Sequence, residues 1–399
     1  MIQIKEDFFW VGIKDWELKK FHGEEFTTEH GSTYNSYLIK GSKMTALVDT
    51  CWGPFKEQFL GCLERDIGLE NISCLICLHT ETDHSGAMEA LADRLPDLPV
   101  YCTAKAKQFL ESQYRRSWNC HIVKTGDKLD LGGYELLFVE APMLHWPDTM
   151  FAYVNGMAAL LSSDAFGQHY VSSGFYDDEA ETDVLWSEAI KYFANIVSPY
   201  ARAVKPKIDQ FSGLGLPLDL ICPSHGVIWR NKPFTIVDKY IEWAAAYKED
   251  QVAIIYDSMW HETRHMAEAL ARGVAGAGMT AKVINGAKTD TTHVLTEAFR
   301  SAGILVGSPT VNNGVTPAMA AVMEGLRHLK LSGKSGAAFG SYGWSGEGPG
   351  ILQAALEQAG VRIAGGPFKQ AHMPQAEDIA ALEDFGRQFA TELKGELKG

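Results

Sequence analysis

The sequence predicts two α/β domains in tandem, and three observations carry that reading. From residue 1 to 249, short apolar strands bounded by turn signals alternate with helical stretches, the mark of a mixed sheet-and-helix sandwich. From 250 to 399, five short apolar strands alternate regularly with helical patterns, which predicts a doubly wound parallel sheet. Between the two, the rhythm changes at Lys248-Glu249-Asp250, the only junction the sequence marks.

The elements follow in order. MIQIKEDFFWVGIKDWEL alternates like a strand and carries acids, so it does not read as a signal peptide. Period-two or buried-type apolar runs predict strands at 37–39, 45–48, 74–78, 100–103, 134–139, 150–154, 158–162 and 220–223. Helical spacing predicts helices at 54–66, 85–94, 104–113, 183–210 and 235–248. In the second part, strands are expected at 252–256, 281–284, 303–306, 337–339 and 361–363. Helices are expected from about 263, then at 291–302, 316–331, 348–359 and 376–394.

Composition excludes some functions. The net charge of −14 argues against nucleic acid or an anionic membrane as partner. Most of that charge lies before residue 250, where 23 Lys and Arg face 35 Asp and Glu. A site for multivalent cations would offset a few of these acids, and a solvated acidic surface accounts for the rest. No stretch approaches the roughly 20 apolar residues of a membrane span. Seven cysteines, an odd number set mostly among apolar neighbours, point to reduced thiols in a cytoplasmic protein. Cys74-x-x-Cys77 sits within a strand that sends the two side chains to opposite faces, so it reads as core.

The richest segment is His79-Thr80-Glu81-Thr82-Asp83-His84, four metal-ligand side chains in six residues between a buried strand and a helix start. Residues 79, 81 and 83 share one side of an extended chain, and a turn brings His84 alongside. Further ligands are expected at other strand ends, and three residues stand just past apolar strands: His145, Asp164 and His225. Each alone is an ordinary loop residue; together with the cluster they predict a metal centre.

These motifs resemble the metal site of the metallo-β-lactamase fold, in the variant of the flavodiiron proteins. Hydrolases of that fold show His-x-His-x-Asp-His, and here the second His is Glu81. A carboxylate in place of an imidazole shifts the site from zinc toward the harder N/O chemistry that suits iron. Glu29-His30-Gly31-Ser32-Thr33-Tyr34-Asn35-Ser36-Tyr37, His145-Trp146-Pro147-Asp148, Asp164-Ala165-Phe166-Gly167 and Ser224-His225-Gly226 carry the same resemblance, which covers nearly the whole chain. It implies a metallo-β-lactamase-like αββα sandwich over 1–249 followed by a flavodoxin-like domain over 250–399. It also implies two non-haem irons. His79, Glu81 and His145 would hold one, Asp83 and His225 the other, and Asp164 would bridge them. His84 either binds iron or turns away, since family members differ there. No cysteine belongs to the set, which fits a histidine–carboxylate di-iron site rather than an iron–sulfur cluster.

The second domain offers three loops at strand ends, where ligands of open α/β sheets bind. Ser258-Met259-Trp260-His261-Glu262-Thr263 leads into a helix whose N-terminal N–H groups suit a phosphate, with Ser258 and Thr263 adding hydroxyl donors. Pro309, Thr310, Val311, Asn312, Asn313 and Gly314 offer backbone groups to the edge of a flavin ring. Ser341, Tyr342, Gly343, Trp344 and Gly346 place aromatics in a Gly-rich loop, so that Tyr342 or Trp344 can lie against the ring. Together they predict FMN, which the family resemblance also implies.

Three patterns point elsewhere and fail on context. His261-Glu262-Thr263-Arg264-His265 matches the zinc-protease motif His-Glu-x-x-His but opens a helix after a parallel strand, without a third ligand at the usual spacing. Glu262-x-x-His265 within it is a fragment of a bundle-type di-iron motif, which needs a second copy and two more Glu. Gly276-Ala277-Gly278-Met279-Thr280-Ala281 follows a helix, not the strand that a dinucleotide fingerprint requires. His121, His169, His293, His328 and His372 have no ligand-type neighbours in sequence and default to surface or core roles.

The expected function is therefore O2 reduction to water, with electrons passing from a donor through FMN to the di-iron site. Reduction of nitric oxide to N2O on the same site is the alternative. A metal-dependent hydrolase with a flavodoxin-like accessory domain is a weaker alternative, opposed by Glu81. A flavoprotein electron carrier with a vestigial metal site is opposed by the full ligand set. With no Cys after Cys222 there is no rubredoxin-like module in this sequence, so rubredoxin or a similar small protein is the expected donor. The resemblance also implies a head-to-tail homodimer, possibly assembled further into a tetramer.

Overall fold

The computed structural model describes residues 1–398, and these divide into two compact units. One comprises Met1–Phe21 with Thr28–Ile241; the other comprises His22–Thr27 with the chain from Glu242 onward. No helix among the described residues is long and apolar enough to cross a membrane.

The first unit is built on two facing sheets. The seven-stranded sheet runs in the order Ile2–Lys5, Phe8–Trp10, Tyr37–Lys40, Thr45–Val48, Cys74–Ile76, Val100–Cys102, Cys120–Ile122. The five-stranded sheet runs Lys128–Asp130, Glu135–Glu140, Met150–Asn155, Ala159–Ser163, Leu220–Pro223. Alternation along each strand turns one set of apolar side chains inward. Ile39, Val48, Cys74 and Ile76 from the first sheet meet Phe138, Ala152 and Leu161 from the second in one buried core. Each such large apolar side chain contributes about 1.5–3 kcal/mol on burial. Cys77 faces away from this core, as the strand alternation requires.

The strands expected in this unit all form, within a residue or two at their ends. The long helix expected over 183–210 does not form as one piece. Thr182–Tyr192 is α-helical, a π-turn follows at Phe193–Val197, a 3-10 turn spans Ser198–Tyr200, and the α-helix resumes at Ala201–Ser212. Pro199, which lacks an N–H to continue the hydrogen-bond ladder, lies in the 3-10 turn at this break, whereas Pro206 is accommodated inside the resumed helix.

The second unit holds a parallel sheet in the order Thr280–Asn285, Glu249–Tyr256, Ser301–Gly307, Ser335–Tyr342, Arg362–Ile363. Helices Glu262–Gly276 and Ala376–Lys398 supply Met266, Leu270, Phe389 and Leu393 to a core with Ile254, Leu305 and Phe339. The fifth strand differs from expectation. It comes in two pieces, Arg362–Ile363 and Phe368–Ala371, both parallel to Ser335–Tyr342. Gly365, Gly366 and Pro367 interrupt the pairing between them, two residues at positive φ and one without an N–H.

Candidate metal centre and cofactor cleft

Every predicted ligand leaves the end of a strand toward the same edge of the sandwich. The parallel pair Ala159–Ser163 and Leu220–Pro223 is continued by the Ser224 amide donating to the Ser163 carbonyl at 2.8 Å, which sets Asp164 beside His225. Past Cys74–Ile76, the Leu78 carbonyl accepts from the Met150 amide at 2.9 Å and joins the two sheets where His79 begins. The short helix Thr82–Ser85 then turns His84 back, and its carbonyl accepts from the Thr50 amide at 2.8 Å. Two glycines make room. A Cβ on Gly86 would sit 2.4 Å from the Gly53 nitrogen, and Gly226 (φ +81°) lies where a Cβ would meet the Gln168 amide oxygen.

The result is two groups of ligand atoms sharing one carboxylate. Asp164 Oδ2 lies 3.7 Å from His79 Nε2 and 3.5 Å from His145 Nε2, while Glu81 Oε2 lies 3.4 and 3.3 Å from the same two nitrogens. Asp164 Oδ1 lies 3.1 Å from His84 Nε2 and 3.4 Å from His225 Nε2. Asp83 Oδ2 lies 3.4 and 2.9 Å from those. All seven predicted metal residues are thus brought together, and His84 turns its Nε2 inward rather than away. Asp83 Oδ1, Asp164 Oδ2 and His84 Nε2 are buried without a hydrogen bond. Lone pairs left so are costly unless a cation takes them, so the donor set fits metal. Three carboxylates would also offset most of the charge of two divalent ions. Nitrogen and oxygen ligands without thiolate suit iron.

The imidazoles are oriented from behind. His79 Nδ1 faces Asp148 Oδ2 at 3.1 Å, His225 Nδ1 faces the Thr33 carbonyl at 2.6 Å, and His84 Nδ1 faces Asp49 Oδ2 at 4.0 Å. The first two partners fix the tautomer so that Nε2 points at the site, while Asp49, beyond hydrogen-bond distance, acts on His84 through its charge. Asp148 also accepts from the Thr80 amide at 2.9 Å and its hydroxyl at 2.7 Å. The buried Tyr192 hydroxyl donates to Asp164 Oδ1 at 3.2 Å. His169 packs 4.9 Å from the His225 ring with its Nδ1 2.7 Å from Ser32 Oγ, so its role is in the wall of the site. Asp49 and Tyr192 carry no signal in sequence, and His169 was expected only in a surface or core role; Thr33 and Asp148 belonged to quoted motifs but had no assigned role.

Charge follows geometry. Burial disfavours the Asp164 carboxylate, yet His84, His145 and His225 around it hold its pKa well below the usual range. Burial likewise disfavours a charged imidazole, but the carboxylates prevail. Asp164 and Glu81 raise His145 to about 9, and Asp164 and Asp83 raise His225 to about 10. Asp49 is pushed up by burial to about 7, with His84 and the Leu78 amide opposing.

In the second unit, a cleft of about 330 Å³ opens at the C-terminal ends of the parallel strands. Met259, Trp260, Glu262, Pro309, Thr310, Val311, Asn312, Ser341, Tyr342, Gly343 and Trp344 line it, all of them predicted. Trp344 is 90% exposed and Trp260 74%, which leaves both ring faces free for a planar ligand. Ser258, His261, Thr263, Asn313, Gly314 and Gly346 were expected at the site but are not among the lining residues. Ser258 Oγ is buried without a hydrogen bond beneath the loop. His261 adopts a left-handed conformation (φ 76°) that starts the helix Glu262–Gly276. The buried Thr263 hydroxyl lies 2.8 Å from that of Ser341. Val311 and Gly314 exchange backbone hydrogen bonds that close their turn, Asn313 donates to Glu347 at 3.2 Å, and Gly346 lies against the Tyr342 ring. His372, assigned by default to surface or core, lines the cleft. Strand Phe368–Ala371 puts it there, with its amide donating to the Tyr342 carbonyl at 2.9 Å. An orphaned hydroxyl at the head of a helix, beside an open aromatic cleft, fits a phosphate joined to a planar ring system.

Comparison with known proteins agrees with this geometry. Residues 33–226 match the model of the ODP family beta lactamase, and residues 254–386 match that of flavodoxin. The chain is 42% identical over 393 residues to the anaerobic nitric oxide reductase flavorubredoxin of Klebsiella pneumoniae subsp. pneumoniae, covering 98% of this chain and 81% of that protein. The protein of the same description from Escherichia coli strain K12 is also 42% identical, with 98% and 82% covered. Among solved structures, rubredoxin oxygen:oxidoreductase from Desulfovibrio gigas superposes with a TM-score of 0.96 at 34% identity, covering 100% of this chain and 99% of that one. The flavodiiron protein of Giardia intestinalis superposes with a TM-score of 0.94 at 27% identity, covering 100% and 97%.

Proposed function

The chain belongs to the flavodiiron protein family, as an FMN- and iron-dependent oxidoreductase, and on that premise we propose that it reduces nitric oxide to N2O. The observation that carries the choice of gas is the 42% identity across 98% of the chain to proteins described as anaerobic nitric oxide reductases. Reduction of O2 to water, the first expectation from sequence, is the second reading. The likeness to a rubredoxin oxygen:oxidoreductase favours it. Steady-state consumption of NO and of O2, measured with one reduced donor on one preparation, separates the two. Turnover of O2 without turnover of NO would reverse their order.

In this proposal residues 1–249 form the metal domain and 250–399 the flavin domain. His79, Glu81 and His145 would hold one iron, Asp83, His84 and His225 the other, and Asp164 would be shared between them. The inward Nε2 of His84, 3.1 Å from Asp164, supports including it. Two irons supply open positions for the gas and one-electron steps, and FMN supplies the electrons. The chain's own work is positional. Asp148, Thr33 and Asp49 keep three imidazoles aimed at the site. When bound, FMN would have its phosphate at the loop of Ser258 and Thr263, its edge at Pro309, Thr310, Val311, Asn312, Asn313 and Gly314, and its ring at Tyr342 and Trp344, with Ser258, Thr263, Asn313 and Gly314 set behind the residues that line the cleft.

Rubredoxin, or a small protein like it, serves as the donor. The names of the relatives, flavorubredoxin and rubredoxin oxygen:oxidoreductase, support this. The protein acts as a head-to-tail homodimer, in which the flavin of one chain serves the irons of the other. Seven free cysteines support a cytoplasmic location.

A further inference from the structure

Three of the seven cysteines come together on one face of the seven-stranded sheet, apart from the metal ligands. In the parallel pair of Cys74–Ile76 with Val100–Cys102, Leu75 lies opposite Val100 and Ile76 opposite Tyr101. The Cys77 amide donates to the Tyr101 carbonyl at 2.9 Å and brings Cys77 level with Cys102. On the other side, Val100 lies opposite Cys120 and Cys102 opposite Ile122. Side chains alternate along a strand, so Cys77, Cys102 and Cys120 share a face, the one turned away from the core between the sheets. Cys77 and Cys102 are buried, whereas Cys120 is half-buried on Cys120–Ile122, the edge strand of the sheet. Cys102 and Cys120 thus stand on neighbouring strands of one face, and each thiol is the largest influence on the titration of the other.

We propose that Cys102 and Cys120 form a reversible disulfide under hydrogen peroxide, with the accessible Cys120 attacked first and Cys102 resolving it. In the first step the Cys120 sulfur takes one peroxide oxygen as the O–O bond breaks, giving a sulfenic acid and water. In the second, the Cys102 sulfur attacks the Cys120 sulfur, the S–O bond breaks, and a second water leaves with the thiol proton. Two thiols lose two electrons in all, and one peroxide is reduced to two waters.

Three features favour this pair. The neighbouring Cys102 thiol, helped by Lys107 and opposed by burial, holds the Cys120 thiol below its usual pKa and so raises its reactive thiolate fraction. The same contact and burial push the Cys102 thiol up, which suits a resolving partner that stays protonated until attacked. Residues two positions out of register are farther apart than an unstrained disulfide prefers, so closure requires the strand of Cys120 to shift. An edge strand, paired on one side only, can make that shift. The resulting bond is strained and therefore readily reduced, as a reversible modification requires.

The test uses reduced holoprotein exposed to a small excess of hydrogen peroxide. Free thiols are then alkylated under denaturing conditions and the tryptic peptides are mapped by mass spectrometry. The expected result is one cross-linked pair joining Cys102 to Cys120, loss of two of the seven alkylatable thiols, and full recovery with a dithiol reductant. Cys102→Ser should instead leave Cys120 as a sulfenic acid that a dimedone probe captures. Should that variant fail to fold, the wild-type map alone decides. The proposal is overturned if both thiols stay alkylatable, if Cys120 over-oxidises while Cys102 remains free, or if the bridge joins Cys77 to Cys102 or links two chains.

Discussion

The two cofactor sites of this chain are built on opposite principles. The metal site is enclosed: His79, Asp83, His84, His145, Asp164 and His225 are all buried, and three of its histidines are braced from behind. The cleft of the second unit is open, and its two tryptophans are among the most exposed apolar side chains of the protein. Charge explains the difference. Bare cations need several fixed carboxylates and imidazoles, and these can be buried together only because they neutralise one another and the ion. A flavin needs a phosphate cradle of backbone and hydroxyl groups and an apolar slot, and its ring must stay reachable for electrons.

If the sites are built so differently, they should fail separately. The largest effect is expected at the shared carboxylate. Asp164→Ala leaves two cations facing each other without a bridge, so most of the iron should be lost from a wild type that holds about two per chain. Flavin content should be unchanged. Metal analysis beside the flavin absorbance checks both, and full iron with full turnover in the variant would remove Asp164 from the ligand set.

Next comes pH. In the metal-free protein His145 and His225 titrate near 9 and 10, so both carry protons at neutral pH. Metal requires the bare imidazole nitrogens and must displace those protons. Affinity should therefore rise with pH up to about 10, more steeply below about 9 where both protons must leave, by about tenfold per unit for each proton displaced. Titrating metal into lightly buffered protein should release acid, whereas titrating FMN over the same range should not. Metal uptake without proton release would contradict the charge state assigned to these imidazoles.

A smaller effect is expected one layer out. Asp148→Asn keeps the shape but weakens the brace on His79, and should lower metal affinity by about 10- to 100-fold, read from a chelator competition. An effect of similar size belongs to the open site. Thr263→Val removes one hydroxyl at the head of the helix, and should weaken flavin retention by about 1–3 kcal/mol without touching iron. Release of FAD instead of FMN on acid or heat treatment would refute the flavodoxin-type site altogether.

Much of this contrast was legible in the sequence, for physical reasons that also mark where it stopped. Four ligand side chains within His79–His84 are too dense to be an ordinary loop, and Asp164 and His225 follow apolar strands whose parallel pairing puts them side by side. The braces were hidden because they cross the fold: Asp148 is 69 residues from His79, and the Thr33 carbonyl is 192 from His225. A backbone carbonyl leaves no trace in residue identity at all. His372 was missed because Phe368–Ala371 has a polar centre and is only half-buried, so it did not read as a strand. The break in the helix expected over 183–210 was readable from Pro199, but the apolar period on either side of it masked the stop.

On the proposed function, electrons held by a bound flavin would leave through the metal site to NO. Reduced, metal-loaded wild type and the Asp164→Ala variant, each mixed anaerobically with NO while flavin absorbance is followed, test it most directly. In the wild type the flavin should reoxidise rapidly and N2O should form, one for every two NO consumed. In the variant it should stay reduced. Equal flavin reoxidation in both proteins, or rapid reoxidation in the wild type without N2O, would contradict it.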